Sequence, residues 1–446
     1  MTETPGVRYY DVRQVTGETT HIDIDKGVVE SAGVSFFSKA VVRVLGPKGW
    51  GILETDRPEE LSGKKFEELL ASALRLAQLT GDSVSLADAP RTILAVPKVK
   101  EDCRDIGLEE KAALLGAIEK AADLPQISSR RANYLERIET VRFRDSSDCE
   151  YSFESCRSGF SVIAVASRNG DSQMAYEPER TIHGFNLRHR EETGKKAAEM
   201  AVALLGAKAA KGGTMNAVLD PELAGVLAHE AVGHACEGDL VEEGNSVLKG
   251  RTGEQIADSR LTIVDDPSLH EFGFEPVDAE GVAVGRTELI KNGRVNAFLH
   301  NRGTLAAVGH GAAGHARAMP GEPPLVRMSN TFVEAGDATD DEIFAECKNG
   351  IFLAGTRGGQ VDTGRGVFQF NAEYGYLIEN GEKTQMVRDV SLSGEILKTL
   401  HGVSLCGKKR EMHAGYCGKG GQSVPVSDGA PLVFLQNAVV GGSGVD

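Results

Sequence analysis

Apolar residues in the first half of the chain fall into two alternating rhythms. From Val7 to Glu54 they recur in short β-like runs separated by glycine-containing turns. Phe66, Leu69, Leu70, Ala73, Leu74 and Ala77 then follow the i, i+3, i+4, i+7, i+8, i+11 spacing of one helix face. Gly81 is expected to close that helix. A second stripe, Leu108, Ala112, Leu115, Ile118 and Ala122, predicts a helix over 108–122. Between Glu139 and Leu187 the rhythm is again that of strands. There Asn169-Gly170, flanked by Ser161–Ser167 and Ser172–Pro178, is a tight-hairpin signal. A segment rich in Ala, Leu and Met predicts a third helix over 191–208.

Lys211-Gly212-Gly213 then punctuates the chain, and the sequence beyond it is Gly-rich and largely strand-like. Two more hairpins are predicted. Asn292-Gly293 lies between Thr287–Ile290 and Arg294–Leu299, and Asn380-Gly381 between Glu373–Ile378 and Lys383–Val387. A capping box, Thr339 with Glu342, starts a short helix that ends before Asn349-Gly350. The pattern is that of an α+β protein with its main boundary near residue 211. An N-terminal α+β domain over 1–210, divisible at about residue 100, precedes a β-rich domain over 211–446 built as a barrel or sandwich.

A chain of 446 residues exceeds one ordinary core, which agrees with two domains. Its 41% apolar and 26% charged residues are ordinary for globular proteins. The net charge of −16 repels phosphate backbones and argues against nucleic-acid binding. The longest basic cluster, Lys408-Lys409-Arg410, is too short to reverse this. No run of about 18 apolar residues suggests a membrane span. Met1 to Tyr10 is polar, without a signal-peptide core, so a cytoplasmic location is expected. Seven cysteines without framework spacing predict free thiols, each by default a small buried residue.

One segment differs in kind. Asp220-Pro221 is a helix start, a cap followed by a first-turn proline, and Gly238 is a candidate stop. Between them lie His229, Glu230 and His234. In zincins two histidines at i and i+4 share a helix face, with a Glu between them as general base. Here the spacing is i, i+5, which on a regular helix turns the second side chain about 140° away. One metal ion can take both only if the winding widens locally. A π-bulge does this, and Gly233 would ease it. Otherwise the helix ends there, and the two are ordinary histidines. A catalytic zinc also needs a third ligand and an open position. Cys236, Cys406, Cys417, His401, His413 and Glu237 are candidates, and spacing does not choose among them.

His229-Glu-Ala-Val-Gly-His234 with Glu237-Gly238-Asp239, and Cys417-Gly-Lys-Gly-Gly-Gln-Ser-Val-Pro-Val426 followed by Val439-Val-Gly-Gly442, resemble the signatures of the TldD/PmbA family. Pro324–Thr331, Gly358–Asp362 and Arg388–Gly394 also fit its pattern, so the resemblance spans nearly the whole chain. The family was first described as modulators of DNA gyrase and is now regarded as peptidases. The resemblance implies a TldD-type, motif-bearing subunit with zinc on His229, His234 and Cys417. It also implies a heterodimer with a TldE/PmbA-type partner, with a homodimer as the alternative, an enclosed site that takes unfolded peptides, and a curved-sheet α+β part joined to a C-terminal β-barrel-like domain. With those ligands Glu230 is placed to act as general base on a zinc-activated water.

Two other readings compete: a non-catalytic regulatory subunit, and a metal amidase acting on small molecules. His310, His315, Arg317 and Arg327 are candidates for stabilising an oxyanion. Their plain reading is as loop residues and as partners of the surplus carboxylates. Asp278 and Glu280 before Gly281 read as solvated acids at a turn. Tyr9, Tyr10 and Trp50 read as strand-face packing, and Gly355–Gly359 lacks the Lys-Ser/Thr of a phosphate loop.

Overall fold

A computed structural model describes residues 5–81 and 83–444. Its first half is built on one antiparallel sheet. The strands are β1 (Tyr9–Asp25), β2 (Val28–Gly46), β3 (Gly49–Thr55), β4 (Ile127–Asp145), β5 (Glu150–Arg168) and β6 (Asp171–Thr181). Their spatial order is β3-β2-β1-β4-β5-β6. The short runs expected between Val7 and Glu54 are instead long strands, 17 residues in β1 and 19 in β2. Gly17 and Gly33 lie inside them, not at turns. At Gly17 a Cβ would stand 2.3 Å from the Ile138 carbonyl, so glycine there allows the close strand approach of a curled sheet. The turn between β1 and β2 is Lys26-Gly27, both at positive φ. Pro178 is tolerated because β6 is an edge strand.

The stripes read from the sequence are the buried faces of three helices. On α1 (Gly63–Ala77), Phe66, Leu70, Ala73 and Leu74 pack on Val42 and Val44 of β2. This helix ends on Gln78, short of Gly81. Two others, α2 (Leu108–Ala121) and α3 (Glu191–Gly206), share a second core with β4 and β5. They touch closely at Gly194, where a Cβ would meet the Ile118 carbonyl at 2.0 Å. The distal half of β2, Val28 to Phe36, carries no such cover, and Phe36 is 78% exposed.

The three Asn-Gly turns, one before β6 and two in the second half, all have both residues at positive φ. This is the type I′ geometry that matches strand twist. The arm after Asn292-Gly293 is only Arg294–Val295, because Phe298–His300 leaves to pair with Gly311–Ala313. The capping box at Thr339 and Glu342 is formed in both directions.

Two sheets enclose the C-terminal core. A ten-stranded sheet includes Gly213–Leu219, Gly350–Ala354 and Val433–Gly442. A six-stranded sheet ends in Asn330–Val333, Gln422–Ala430 and, at its edge, Glu411–Lys419. Between them runs α4 (Pro221–Leu227) with the turns that continue it. Gly225 lies against the Asp428-Gly429 backbone, where a Cβ would come within 2.7 Å of the Gly429 nitrogen. The protein is thus α+β, with helices outside the first sheet and one helix held between the other two.

Asp278 and Glu280 are not solvated. They are 2% and 3% exposed. Asp278 Oδ1 accepts from the Glu280 and Val282 backbone nitrogens, at 2.9 and 2.8 Å. Glu280 pairs with Arg43 at 3.1 Å, and Arg43 also pairs with Asp11, so the acids tie the two halves together. Burial of so many ionic groups is tolerable only because each has a partner. Tyr9 and Trp50 pack edge to face, as read. All seven cysteines are free thiols.

Candidate metal centre

Asp220 caps α4, accepting from the Leu223 nitrogen at 2.8 Å, and Pro221 takes the first turn. The helix then widens. Residues Ala228–Gly233 form a π-turn and His234–Cys236 a 3₁₀ turn. The extra residue compensates the i, i+5 spacing, and the two imidazoles face each other with ring centroids 5.3 Å apart. Gly233 acts through space rather than backbone freedom. Its φ and ψ are right-handed helical, −54° and −57°, and a Cβ would crowd Met328 at 3.0 Å. Gly238 is not a stop but the first residue of the next helix, Gly238–Glu243. The chain turns at Glu237, and a Cβ on Gly238 would fall 2.2 Å from His300 Nδ1.

Cys417 reaches the histidines from the edge strand Glu411–Lys419, and ligand atoms of His229, His234 and Cys417 all lie within 4.8 Å of one another. The other third-ligand candidates lie outside this group. Cys236 is fully buried among apolar residues, Cys406 sits in another strand, and His401 is on the short helix Ile396–Gly402. His413 precedes Cys417 by four residues on the same strand.

Each histidine is held by its Nδ1. His234 Nδ1 is 2.9 Å from Glu237 Oε2, and His229 Nδ1 is 2.6 Å from Asp428 Oδ1. The second contact is off-axis for a regular hydrogen bond, yet neither atom has another partner. Fixing Nδ1 leaves Nε2 for the shared space, the usual arrangement of a metal-binding imidazole. His234 Nε2 stands 3.4 Å from Cys417 Sγ. Tetrahedral zinc with ordinary bond lengths spaces N and S ligands by roughly 3.5 Å, so the donors fit.

The charges fit as well. Burial alone would raise the Cys417 thiol, but His229 and then His234 outweigh it and bring the pKa to about 5. Burial likewise opposes charge on His234, yet Glu237 and Cys417 hold its pKa at about 10. His229 is also raised, against burial, by Asp428 and Cys417. The site is therefore prepared for a cation: a thiolate and two anchored imidazoles whose protons a metal would replace. Glu230 reaches the same space, with Oε2 3.8 Å from His234 Nε2 and its side chain 31% exposed. Burial raises its pKa against the pull of the two histidines.

Two residues that the sequence reading did not single out complete the surroundings. Lys419, two residues beyond Cys417, donates to Asp239 at 2.7 Å and to the Val326 carbonyl at 3.0 Å, and pairs with Glu237 at 3.1 Å. It joins the cysteine-bearing strand to the carboxylate that holds His234. Asp428 arrives from the neighbouring strand. The period of two, counted from Cys417, was the available signal for Lys419. Nothing local marked Asp428.

Of the four oxyanion candidates, three are buried and held by partners and one is exposed. His310 is exposed on a loop. His315 lies 3.0 Å from Thr287 Oγ1 and 3.3 Å from Asp265. Arg317 pairs with Glu275 at 2.8 Å. Arg327 is completely buried and donates to the Cys417 and Gln422 backbone carbonyls, which makes it a support for the Cys417 strand.

Comparison with known proteins agrees with the geometry. The PmbA/TldA metallopeptidase C-terminal domain matches residues 212–442, its central domain 101–205 and its domain 1 residues 10–77. A metalloprotease of Methanothermobacter thermautotrophicus is 37% identical over 441 residues, 98% of this chain and 96% of that protein. A zinc metalloprotease TldD homolog of Saccharolobus solfataricus is 29% identical, over 90% of this chain and 89% of the other. The crystal structure of TldE from Thermococcus kodakarensis has the same fold, with a TM-score of 0.76 at 17% identity, covering 98% and 97% of the two chains. No helix among the described residues is long and apolar enough to cross a membrane. The chain belongs to the PmbA/TldD family of metallopeptidases.

Proposed function

We propose that this chain is a zinc-dependent endopeptidase of the TldD type, acting on unfolded or extended peptides. His229, His234 and Cys417 hold one zinc ion, and Glu230 is the general base. The observation that carries the reading is the convergence of three donors within 4.8 Å, with both histidines anchored through Nδ1. Two imidazoles and a thiolate favour zinc over the harder divalent cations. A zinc ion bound there supplies Lewis acidity to a scissile carbonyl and acidifies a water molecule. Glu230 takes the proton from that water on its carboxylate and returns it to the leaving amine. Its partial burial raises its proton affinity towards the working range. Asp428 and Glu237 keep the histidines oriented, and Arg327 and Lys419 hold the Cys417 strand.

The strand Glu411–Lys419 is the edge of its sheet, which suits main-chain pairing with an extended peptide and little sequence preference. A TldE/PmbA-type subunit is the expected partner. The uncovered Val28–Phe36 edge of β2 is a surface that an assembly would cover. The division at about residue 211 separates the supporting α+β part from the part that bears the site, and the setting is cytoplasmic.

Elemental analysis of protein purified without added metal tests the ligands. The wild type should carry about one zinc per chain and Cys417→Ser far less. Equal zinc in both would remove Cys417 from the site. Glu230→Ala should keep the metal and lose peptide hydrolysis by roughly 10²–10⁴-fold.

A further inference from the structure

On the other side of the edge strand lies a cavity of about 220 Å³ that the metal centre does not use. It is a partly open cleft between one face of the N-terminal sheet and the hairpin that carries Cys417. Side chains alternate across a strand, so Tyr416 lines this cavity while its neighbour Cys417 faces the histidines. In a chain of net charge −16, four arginines line this one space: Arg13, Arg137, Arg157 and Arg317.

Their charges are only partly matched. Arg157 and Arg317 share one carboxylate oxygen, Glu275 Oε1, at 3.2 and 2.8 Å, and otherwise donate to backbone carbonyls, Arg157 to Phe272 and Phe274 and Arg317 to Met328. Arg137 has one long ion pair, to Glu139 at 3.5 Å, and lies over the Phe37 ring. Arg13 has no ion pair among the described residues, only a 3.4 Å contact to the Met319 carbonyl. The Nε atoms of Arg137 and Arg317 are buried without a hydrogen-bond partner, and Arg317 is itself only 4% exposed. A buried donor left unpaired is costly unless a ligand or water completes it. Four arginines stand against Glu139, Glu275 and Asp278, and burial pushes Asp278 up to about 7, so the surplus is at least one positive charge. A carboxylate is the smallest organic anion that meets that surplus. The volume is below the roughly 300–1,000 Å³ of small-molecule sites, so it takes a single residue rather than a cofactor. Beside the guanidinium groups, Leu135, Phe153 and Tyr416 supply an apolar wall.

We propose that this cavity is a carboxylate-binding subsite for peptides, taking either the C-terminal carboxylate or an acidic side chain next to an apolar residue. Its coupling to cleavage rests on the peptidase reading above; its binding of carboxylates does not. The test therefore measures binding without turnover, by calorimetry on the full chain carrying Glu230→Ala. Three acetylated octapeptides serve as probes: a neutral one with a free C-terminus, its C-terminal amide, and an amide with one internal Glu. The free acid, the Glu-containing amide, or both should bind at least about tenfold more tightly than the neutral amide. That advantage should shrink with added salt and vanish in Arg13→Gln/Arg137→Gln, whose parent side chains have the weakest structural partners. The free acid alone would identify the C-terminus as the source, and the Glu peptide alone the side chain. Equal affinity for all three probes, or a preference untouched by the double substitution in a protein of unchanged circular dichroism, would overturn the proposal.

Discussion

Replacing Lys419 by Met should destabilise the centre more than any single-ligand argument suggests. The ammonium is 17% exposed and contacts Asp239 at 2.7 Å and Glu237 at 3.1 Å, while Glu237 is fully buried. With a metal in place both histidines are neutral, so Lys419 becomes the cation that keeps Glu237 charged. Methionine preserves the apolar stem and leaves two carboxylates facing each other. Breaking a buried pair on one side costs about 3–5 kcal/mol, and the partial exposure of Lys419 and Asp239 places this case near 3 kcal/mol. Part of that loss should appear as weaker metal binding, because supporting groups of this kind contribute 10–100-fold to affinity. The assay pairs denaturant unfolding with a zinc competition titration against a chromophoric chelator. Lys195→Met is the control, since its pairs to Glu192 and Glu199 are long, 3.8 and 3.6 Å, and half exposed, and should contribute under about 0.5 kcal/mol. If Lys419→Met behaves like that control in both measurements, the network does not support the metal centre.

Proton release gives a second check. In the metal-free chain at pH 7.5 the raised histidine pKa values keep His229 and His234 protonated, while Cys417 is already a thiolate. Zinc uptake should then release about two protons, both from histidine, and affinity should climb with pH up to about 10. For folding without metal the signs oppose. The His234 contribution is complete below about 6.5 and lost as pH rises through about 10, whereas that of Cys417 is complete above about 9 and lost as pH falls through about 5. Calorimetry in buffers of different ionisation enthalpy counts the protons, and one or none would refute the paired-ion description. Finally, Gly238→Ala should cost about 1–3 kcal/mol, since the added methyl must displace His300 or the Leu299 carbonyl. A thermal midpoint equal to wild type would contradict that packing.

Much of this was legible in the sequence because it depends on local rules. The Asn-Gly turns, the capping box at Thr339 and the stripes of α1, α2 and α3 each follow from residues within a few positions. The i, i+5 histidines demanded a widened turn, and a π-turn is present. What escaped depends on residues distant in sequence. Glycine at 17 and 33 looks like turn punctuation, yet both lie inside long pairings, and Gly17 serves a close approach of β1 to β4. Asp278 and Glu280 look like surface acids because Arg43, over two hundred residues earlier, is invisible from their neighbourhood. Choosing Cys417 over Cys406 or His401 needed the family resemblance first and then the strand order. Asp428 became visible only with the Gly225–Gly429 contact that sets the helix on the sheet.

The widened turn at Ala228–Gly233 also sets a rule of arithmetic for the centre. Each residue added to or removed from a helix rotates everything beyond it by about 100°. A deletion between the two histidines would restore regular winding there, but would swing Glu237, Asp239 and the following helix away from Lys419 and His300. Between Glu230 and Gly233 only Ala231 and Val232 can be exchanged subject to packing, whereas no residue can be added or removed. This stretch of chain encodes its length as strictly as its chemistry.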